Sequence, residues 1–193
     1  MIVFLQGIFV QKTPAWVWMD VNGTGYEVNI SLHTYSSIQH LESGRLLTHL
    51  QIKEDGHVLF GFHEHEERNL FLQLISVNGI GTSTARMMLS SMKPEEITHA
   101  IQHGDEAMLG RIKGIGPKSA KRLILELKDK LGKAGSSTNI EVQKSNIPSN
   151  DALFALMNLG INRNTAQQAI EKVLQQDAGL SLEELIKQAL KNI

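Results

Sequence analysis

The sequence predicts a multidomain α+β protein, with an N-terminal five-stranded β-barrel, a central all-α domain, a flexible linker and a C-terminal three-helix bundle. The first 62 residues carry short runs of β-branched and aromatic residues between turn signals. Beyond them, apolar residues recur at helical spacing. A polar stretch with several Gly and Ser residues then interrupts this pattern before a second helical segment. We expect domains at residues 1–63, 64–131 and 150–193, and the linker at 132–149.

Five strands are expected in the N-terminal domain, at residues 2–10, 15–21, 26–30, 46–53 and 57–62. Thr13-Pro14, Asn22-Gly23 and Asp55-Gly56 supply turn signals between them. The glycines of the last two tolerate the positive φ that a tight hairpin demands. Five short strands in a small all-β unit favour a closed barrel of the OB type. A sandwich or an SH3-like barrel fits the same pattern.

Helices are expected throughout the central domain. The first is marked by an apolar stripe at helical spacing, formed by Leu70, Phe71, Leu74 and Ile75. Pro94 followed by Glu95 and Glu96 predicts a helix start, because acidic residues are favourable near the positive end of the helix dipole. Asp105 is expected to cap a short helix through Arg111. A longer helix is expected from Pro117 to about Leu131.

Three further helices are expected after the linker. An apolar patch is formed by Phe154, Leu156, Met157 and Leu159. Gly160 is expected to end their helix, since glycine is favoured just past a helix C-terminus. Asn162 or Asn164 can cap the next helix, which runs to about Gln176. The stretch 181–184 has the Ser-x-x-Glu pattern of a capping box and predicts the start of the last helix.

The charge of the chain is unevenly distributed. The net charge is −1, yet residues 110–133 hold eight Lys and Arg residues against one Glu and one Asp. A local basic field attracts polyanions even when the whole chain is nearly neutral, although a solvated helix face has the same composition. The chain has no Cys, which fits a reducing cytoplasm. Neither a signal peptide nor a membrane span is expected.

An internal repeat carries the functional prediction. Residues 75–91 and 110–126 match at an offset of 35, so that the Val-Asn-Gly-Ile-Gly of residues 77–81 aligns with the Ile-Lys-Gly-Ile-Gly of residues 112–116. Each copy has a helix before it and a helix after it. The pattern resembles the helix-hairpin-helix motif, whose core is apolar-x-Gly-apolar-Gly.

This pattern is suited to holding a phosphate. The glycines permit a tight turn and remove the β-carbons that would keep a ligand away. The following helix offers unpaired backbone N–H groups and its positive dipole end. Such contacts read no bases, so binding is expected to be independent of sequence. The expected DNA-binding residues are Gly79, Gly81, Ser83, Arg86, Lys113, Gly114, Gly116, Lys118, Lys121 and Arg122.

The two copies are expected to bind differently. The second has Pro117-Lys118 followed by Lys121 and Arg122, and should bind by backbone and charge. The first has Thr82-Ser83 at the places of Pro117-Lys118 and keeps only Arg86, and should bind by backbone and hydroxyl.

The layout and the motifs together resemble the RuvA family of Holliday-junction-binding proteins. Gly61-Phe62, Glu67-Arg68 and Leu70-Phe71 resemble the sequence of that family, as do residues 114–116 with residues 120–124. The resemblance covers nearly the whole chain. It implies structure-specific binding of four-way junctions, which are held open and planar for branch migration in recombination, DNA repair and the SOS response.

The resemblance also implies an assembly. It implies a homotetramer, with two tetramers on one junction left open, and a hexameric ATPase partner, RuvB, docked by a UBA-like C-terminal bundle. The RuvC resolvase is a further implied partner. The chain itself would be non-catalytic and would need neither cofactor nor metal.

Particular residues match family positions. Glu54 and Asp55 match acidic residues at the tetramer centre, which repel phosphates and so hold the strands apart at the crossover. A solvated turn is the alternative interpretation. The residues that match the family's apolar contacts to its motor are Leu156, Leu159, Ile161 and Leu190, with bundle core as the alternative for each. Ile161 stands where an aromatic residue is expected.

The sequence gives less support to an enzymatic function. Residues 110–119 superficially resemble a phosphate-binding loop, but Pro117 separates Gly116 from Lys118, where a Walker motif needs them adjacent. A DNA glycosylase or lyase is the main alternative, because some of these enzymes carry a catalytic lysine where Lys118 stands. Such enzymes also need a downstream acid, and residues 132–137 contain none.

Two further classes receive less support. A nuclease would need a carboxylate cluster for Mg²⁺, and Glu54 and Asp55 lack a third partner nearby in sequence. His63-x-His65 has no further ligands at metal-binding spacing. A pure protein-interaction adaptor does not account for the basic segment and the tandem repeat, although the C-terminal bundle could be such a module.

Overall fold

The computed structural model describes residues 1–54, 56–135, 147–177 and 179–193. The chain divides into two compact units, residues 1–138 and residues 139–193. The first unit contains a β-barrel followed by helices, and the second contains helices, in the predicted order. The described residues include no helix with the length and hydropathy that crossing a membrane requires.

Five strands close into a barrel. They are β1 (Phe4–Lys12), β2 (Trp16–Val21), β3 (Thr24–Ile30), β4 (Ser43–Lys53) and β5 (Gly56–Phe62). Their order around the barrel is β1-β2-β3-β5-β4. Strands β3 and β5 pair in parallel and the other neighbours are antiparallel. The closed five-stranded arrangement confirms the predicted OB-type barrel rather than an open sandwich.

Each strand differs from its predicted bounds by one to three residues at one end or both. Strand β1 covers residues 4–12 rather than 2–10, and β4 begins at Ser43 rather than Leu46. The additional residues of β4 are Ser43, Gly44 and Arg45, which pair with Ile8, Gly7 and Gln6 of β1. They lack the apolar signal of a strand, and backbone pairing alone includes them in the sheet.

The turn between β2 and β3 follows its sequence signal. Asn22 and Gly23 have φ values of 52° and 85°, as the two central residues of a type I′ turn require. The carboxylate of Asp20 accepts a hydrogen bond from the backbone N–H of Gly23 at 2.7 Å. This turn fixes the antiparallel register of the two strands.

One helix of the barrel domain has no counterpart in the sequence prediction. Helix α1 (Leu32–Ile38) lies between β3 and β4. Ser31 caps it, since its hydroxyl accepts a hydrogen bond from the N–H of Thr34 at 3.0 Å. Lys12 donates to carbonyl oxygens near the other end, those of Ile38, Gln39 and Leu41. The helix is short and largely polar, so the sequence shows no apolar periodicity there.

Five helices follow the barrel in the first unit. They are α2 (His65–Ile75), α3 (Thr82–Ser91), α4 (Pro94–His103), α5 (Glu106–Gly110) and α6 (Pro117–Gly135). The starts expected at Pro94 and Pro117 are confirmed. Asp105 caps α5 as expected, accepting from the N–H of Met108 at 2.9 Å. Helix α6 continues to Gly135, beyond the predicted end at Leu131.

The helices share a core with the barrel. Phe71 of α2 is fully buried, and its ring centroid lies 5.3 Å from that of Phe60 and 4.8 Å from that of Phe62 on β5. Leu47 of β4 belongs to the same cluster. Continuous packing of this kind makes the barrel and the repeat region one folding unit and fixes their relative orientation.

The second unit contains three helices in its described residues. They are α7 (Ile147–Asn158), α8 (Arg163–Gln176) and α9 (Leu182–Lys191). Asn162 caps α8 by accepting from the N–H of Asn164. Ser181 and Glu184 form the predicted capping box of α9. The core residues are Ala152, Leu156, Ala166, Ala169, Ile170, Val173, Leu185 and Ala189. Of the predicted linker, residues 132–135 and 147–149 are helical, and residues 136–146 lie outside the described residues.

Candidate nucleic-acid interface

The two copies of the sequence repeat have the same backbone structure. Three pairs of equivalent hydrogen bonds have nearly equal lengths. They are Val77 N to Leu74 O (3.1 Å) and Ile112 N to Leu109 O (3.2 Å), Ile80 N to Val77 O and Ile115 N to Ile112 O (both 3.0 Å), and Ala85 N to Gly81 O and Ala120 N to Gly116 O (both 2.9 Å). Each loop therefore presents its backbone to solvent in the same way before the helix that follows.

Apolar residues hold both loops on the core. The ones that the repeat places in register are Val77, Ile80, Ala85 and Met88 in the first copy and Ile112, Ile115, Ala120 and Leu123 in the second. All are buried, at 5% exposure or less. The apolar positions of the motif are thus explained by packing, and the positions between them remain exposed.

The glycines of each copy have two different roles. Gly79 and Gly114 have φ values of 92° and 94°, a left-handed conformation that favours glycine. Gly81 and Gly116 do not have positive φ. A β-carbon on either of these two would meet no atom of the chain within 4 Å. Within the described residues nothing crowds a β-carbon at positions 81 and 116, and the bare backbone there is open to an external ligand.

Helices α3 and α6 start directly at these open glycines. Gly81 is the N-cap of α3 and makes no side-chain capping hydrogen bond. The first N–H groups of a helix have no partner within the helix and lie at its positive dipole end. Residues 75–81 line a shallow depression of about 470 Å³ beside this helix start. An anion can reach the backbone there without displacing a side chain.

Basic side chains surround the second loop. Lys113, Lys118 and Lys121 are exposed, and all three belong to the predicted DNA-binding set. Arg122 is also exposed, and its Nη1 donates to the carbonyl oxygen of Asn78 in the first loop at 3.1 Å. The structure therefore brings the two loops together on one side of the first unit, with the basic residues concentrated at the second loop.

The side chains that follow the first loop are arranged differently. Ser83 is exposed, whereas Thr82 is 7% exposed and donates its hydroxyl to Oε1 of Gln51 at 3.0 Å. Arg86 is half-buried, and its Nη1 donates to Oδ1 of Asn29 at 2.6 Å and to the carbonyl oxygen of Ala15 at 3.1 Å. Of the two hydroxyls of Thr82 and Ser83, the hydroxyl of Ser83 faces solvent and that of Thr82 faces the barrel.

The predicted acidic pair lies at the tip of the β4–β5 hairpin. The last pair of the register joins Lys53 to Gly56, and Glu54 is exposed in the turn beyond it. Asp55 lies outside the described residues. The same hairpin carries Gln51, the partner of Thr82, so Glu54 and the first loop belong to neighbouring parts of one compact unit.

The four apolar residues predicted to contact a partner are spread between core and surface. Leu156 is fully buried in the core of the second unit and offers no exposed side-chain surface. Leu159 and Leu190 are exposed, at 63% and 43%, and Ile161 is half-buried. Phe154 is exposed at 66%, although the sequence pattern grouped it with the buried Leu156.

A buried carboxylate joins the barrel to the repeat region. Glu67 of α2 is fully buried and accepts hydrogen bonds from the hydroxyls of Ser31 and Thr34. Burial raises the pKa of Glu67 above its ordinary value, and the two hydroxyl hydrogen bonds oppose that shift. In the sequence, Glu67 stands out only as part of a motif that resembles a family, and no pattern indicates that it is buried.

The described residues contain no group of three or more His, Asp or Glu side chains that could hold a metal ion. His63 and His65, the pair whose spacing was considered for a metal site, are both exposed.

Comparison with known proteins gives matches along almost the whole chain. Three family models match in order: the RuvA N terminal domain over residues 1–61, the SAM-like helix-hairpin-helix tandem over residues 71–129, and the RuvA C-terminal domain over residues 148–193. Curated relatives named Holliday junction branch migration complex subunit RuvA include the protein of Christiangramia forsetii, 49% identical, and that of Flavobacterium psychrophilum, 46% identical, each over 100% of both chains. The protein of that name from Cytophaga hutchinsonii is 44% identical over 99% of both chains.

Proposed function

Because the chain belongs to the RuvA family, we propose that it binds four-way DNA junctions without regard to base sequence and acts as the DNA-binding subunit of a branch-migration complex. In this function it holds the junction open and planar during recombination and DNA repair, including the SOS response.

One observation carries the proposal within the structure. Two loops with matching backbone hydrogen bonds each place an unobstructed glycine, Gly81 or Gly116, at the start of a helix. Backbone amides at a helix N-terminus bind phosphate oxygens and read no bases. Two such sites on one unit can contact two phosphates at a fixed separation, which suits recognition of a DNA shape.

The second loop supplies most of the charge in this proposal. Lys113, Lys118 and Lys121 are exposed around it, and each phosphate neutralised by such a side chain releases condensed counterions. Glu54 and Asp55 act in the opposite sense. Their carboxylates repel phosphates near the crossover and disfavour reannealing of the separated strands.

We propose that the chain itself is not an enzyme. The glycosylase or lyase alternative receives no support from the matched families, and the sequence offers no acid at residues 132–137 to assist Lys118. ATP hydrolysis would be supplied by a partner motor, the RuvB hexamer. The exposed side chains of Leu159 and Leu190, with Ile161, offer an apolar contact for that motor, whereas Leu156 serves the core of the bundle.

The proposal includes a homotetramer, with four copies placing their acidic turns together at the junction centre, and the RuvC resolvase as a further partner. A second tetramer on the other face of the junction would give an octamer. We propose that the chain acts in the cytoplasm, which the absence of Cys fits.

A titration tests the central proposal. The purified chain is titrated against a four-way junction and against linear duplex of the same sequences, with and without Mg²⁺ and ATP. We expect preferential binding to the junction, no DNA cleavage and no ATP hydrolysis. Equal affinity for the two DNAs, or cleavage by highly purified protein in Mg²⁺, would contradict the proposal.

A further inference from the structure

The two hairpins differ in what the following helix contacts, although their backbones match. Helix α3 has three polar side chains at four-residue spacing, Thr82, Arg86 and Ser90, and each makes a hydrogen bond to the barrel domain. Residues four apart lie on one face of a helix. This face of α3 is therefore a continuous polar contact with the barrel.

The contacts along this face reach four segments of the barrel domain. Thr82 bonds Gln51 on β4. Arg86 bonds Asn29 on β3 and the carbonyl oxygen of Ala15, just before β2. The hydroxyl of Ser90 accepts from the N–H of Leu32 on α1 at 3.1 Å and donates to the carbonyl oxygen of Arg86 at 2.8 Å.

Helix α6 has no such face. The residues that the repeat aligns with Thr82, Arg86 and Ser90 are Pro117, Lys121 and Leu125. All three are exposed, and Leu125 is exposed at 78%. Because the two hairpins share their backbone geometry, the barrel contact is an added property of the first one and not a requirement of the motif.

We propose that Thr82, Arg86 and Ser90 are positioning residues that fix the first hairpin against the barrel domain, with Thr82 on the strand leading to the acidic turn, and that Arg86 acts through Asn29 rather than as a phosphate ligand. The proposal rests on the proposed function above. It assigns Arg86 a role different from that expected of a basic residue after a phosphate-binding loop.

The hydrogen bond between Thr82 and Gln51 connects two sites that are proposed to act on DNA in opposite ways. Thr82 is the first residue of α3, where the phosphate is expected to bind, and Gln51 lies three residues before Glu54 on β4. A single hydrogen bond thus joins the phosphate-binding end of the helix to the strand that ends in a repulsive turn. A fixed spacing between an attractive and a repulsive site discriminates between DNA shapes, whereas a loose spacing would accept many shapes.

The environment of Arg86 supports a structural role. Its guanidinium is half-buried, and one nitrogen already has two oxygen acceptors within 3.1 Å. Charge-assisted hydrogen bonds of this kind are among the stronger ones in proteins, and moving the side chain to a phosphate would break both. Lys118 and Lys121, which follow the second loop, are exposed, and among the described residues neither makes a hydrogen bond to the barrel.

The first test separates charge from positioning through salt dependence. Junction and duplex affinities of Arg86→Gln and Asn29→Ala are measured against KCl concentration, with Lys118→Ala as the comparison. For both of the first two variants we expect the ratio of junction to duplex affinity to fall about tenfold, with an unchanged salt slope. Lys118→Ala should flatten the slope by about one unit. A flattened slope in Arg86→Gln, or an unchanged affinity ratio in both variants, would overturn the proposal.

The second test needs no DNA. Amide hydrogen exchange is measured in the free protein at residues 76–81, with residues 111–116 of the second loop as an internal control. We expect faster exchange at residues 76–81 in Thr82→Val and Arg86→Gln, and exchange like that of the unmodified chain in Thr82→Ser, which keeps the hydroxyl. Unchanged exchange in the first two variants, or an equal rise at residues 111–116, would overturn the positioning role.

The two tests also separate this proposal from the proposed function. If the unmodified chain shows no preference for junctions, the proposed function fails. The exchange measurement still decides whether Thr82 and Arg86 hold the first loop in place.

Discussion

The guanidinium of Arg122 on α6 donates a hydrogen bond to the carbonyl oxygen of Asn78 in the first loop at 3.1 Å. A side chain of the second motif thereby holds the backbone of the first. A β-carbon at the neighbouring Gly79 would lie 3.9 Å from the same Nη1. The two phosphate-binding loops are thus joined directly as well as through the core beneath them.

Removing this link should loosen the first loop. Arg122→Ala deletes a hydrogen bond from a charged donor, whose net contribution at a half-exposed site is about 1 kcal/mol. We expect amide exchange at residues 77–81 to become about fivefold faster. Lys121→Ala is the matched control, since it removes a neighbouring exposed cation and should leave that exchange unchanged. Equal effects of the two substitutions would show that Arg122 acts only through its charge.

The two kinds of glycine should respond differently to alanine. Gly114 has a φ of 94°, so Gly114→Ala should lower the free energy of unfolding by about 1–2 kcal/mol. Gly116 has open space at its β-carbon position, so Gly116→Ala should leave the stability nearly unchanged and weaken junction binding. Thermal unfolding and junction affinity are measured for both.

Gly25→Ala provides the control for that pair, because Gly25 on β3 also has open space at its β-carbon position and lies outside the repeat. It should change neither stability nor binding by much. Normal junction affinity in Gly116→Ala would remove the argument that the bare backbone at this position serves a ligand.

The sequence predicts the two hairpins well because the residues that specify each of them lie close together in the chain. Gly79 and Gly114 adopt the left-handed backbone conformation that glycine favours, and the apolar residues around them specify burial. In each copy these residues lie within a short stretch of sequence. The helix caps at Asp105 and Ser181 are predictable for the same reason, because each side chain caps a helix that begins next to it. These elements can be inferred without knowing what the rest of the chain does.

The partners of Arg86 and Glu67 could not be predicted in this way. Arg86 bonds Asn29, which is 57 positions away, and Glu67 accepts from Ser31, which is 36 positions away. An arginine after a phosphate-binding loop has the same sequence pattern whether it faces DNA or the barrel. Helix α1 was missed for a related reason, since the contacts that hold its ends include those from Lys12 on a distant strand.

The two hairpins should differ in the charge that they contribute to binding. Lys118→Ala should flatten the log–log dependence of junction affinity on KCl by about one unit per bound subunit, because one phosphate contact releases about 0.9 counterion. The loss of affinity should be similar for all DNA sequences. Ser83→Ala, at the equivalent position of the first copy, carries no charge and should leave the slope nearly unchanged. The assignment is wrong if Ser83→Ala alters the slope and Lys118→Ala does not.

The buried carboxylate should make stability depend on pH. The pKa of Glu67 is raised in the folded state above its ordinary value of 4.5, mainly by burial. Between the two pKa values the folded chain therefore holds more protons than the unfolded chain. The stabilising contribution of the neutral carboxyl group is present below the unfolded pKa and is lost as pH rises through the folded pKa.

Glu67→Gln removes this titration. The stability of the variant relative to the unmodified chain should therefore increase with pH above about 4.5, by up to about 1.4 kcal/mol per pH unit within the window. Chemical denaturation at a series of pH values measures the difference. Glu66→Gln, which changes an exposed side chain of the same helix, is the matched control. A difference between Glu67→Gln and the unmodified chain that stays constant with pH would contradict the expectation.

The acidic turn should weaken binding to duplex DNA more than binding to the four-way junction. Glu54 is exposed at the tip of the β4–β5 hairpin, and Asp55 follows it in the sequence. Replacing both by alanine removes two negative charges near phosphates, which should tighten binding to any DNA by up to roughly 1 kcal/mol per charge at partly screened distances. Duplex should gain more affinity than the junction, because the repulsion disfavours DNA whose strands stay paired across the centre.

Junction and duplex affinities of the double variant are compared at the same KCl concentration. Glu42→Ala, which removes an exposed acid elsewhere in the barrel domain, is the control. Unchanged duplex affinity together with unchanged selectivity would mean that the turn is only a solvated connection between two strands.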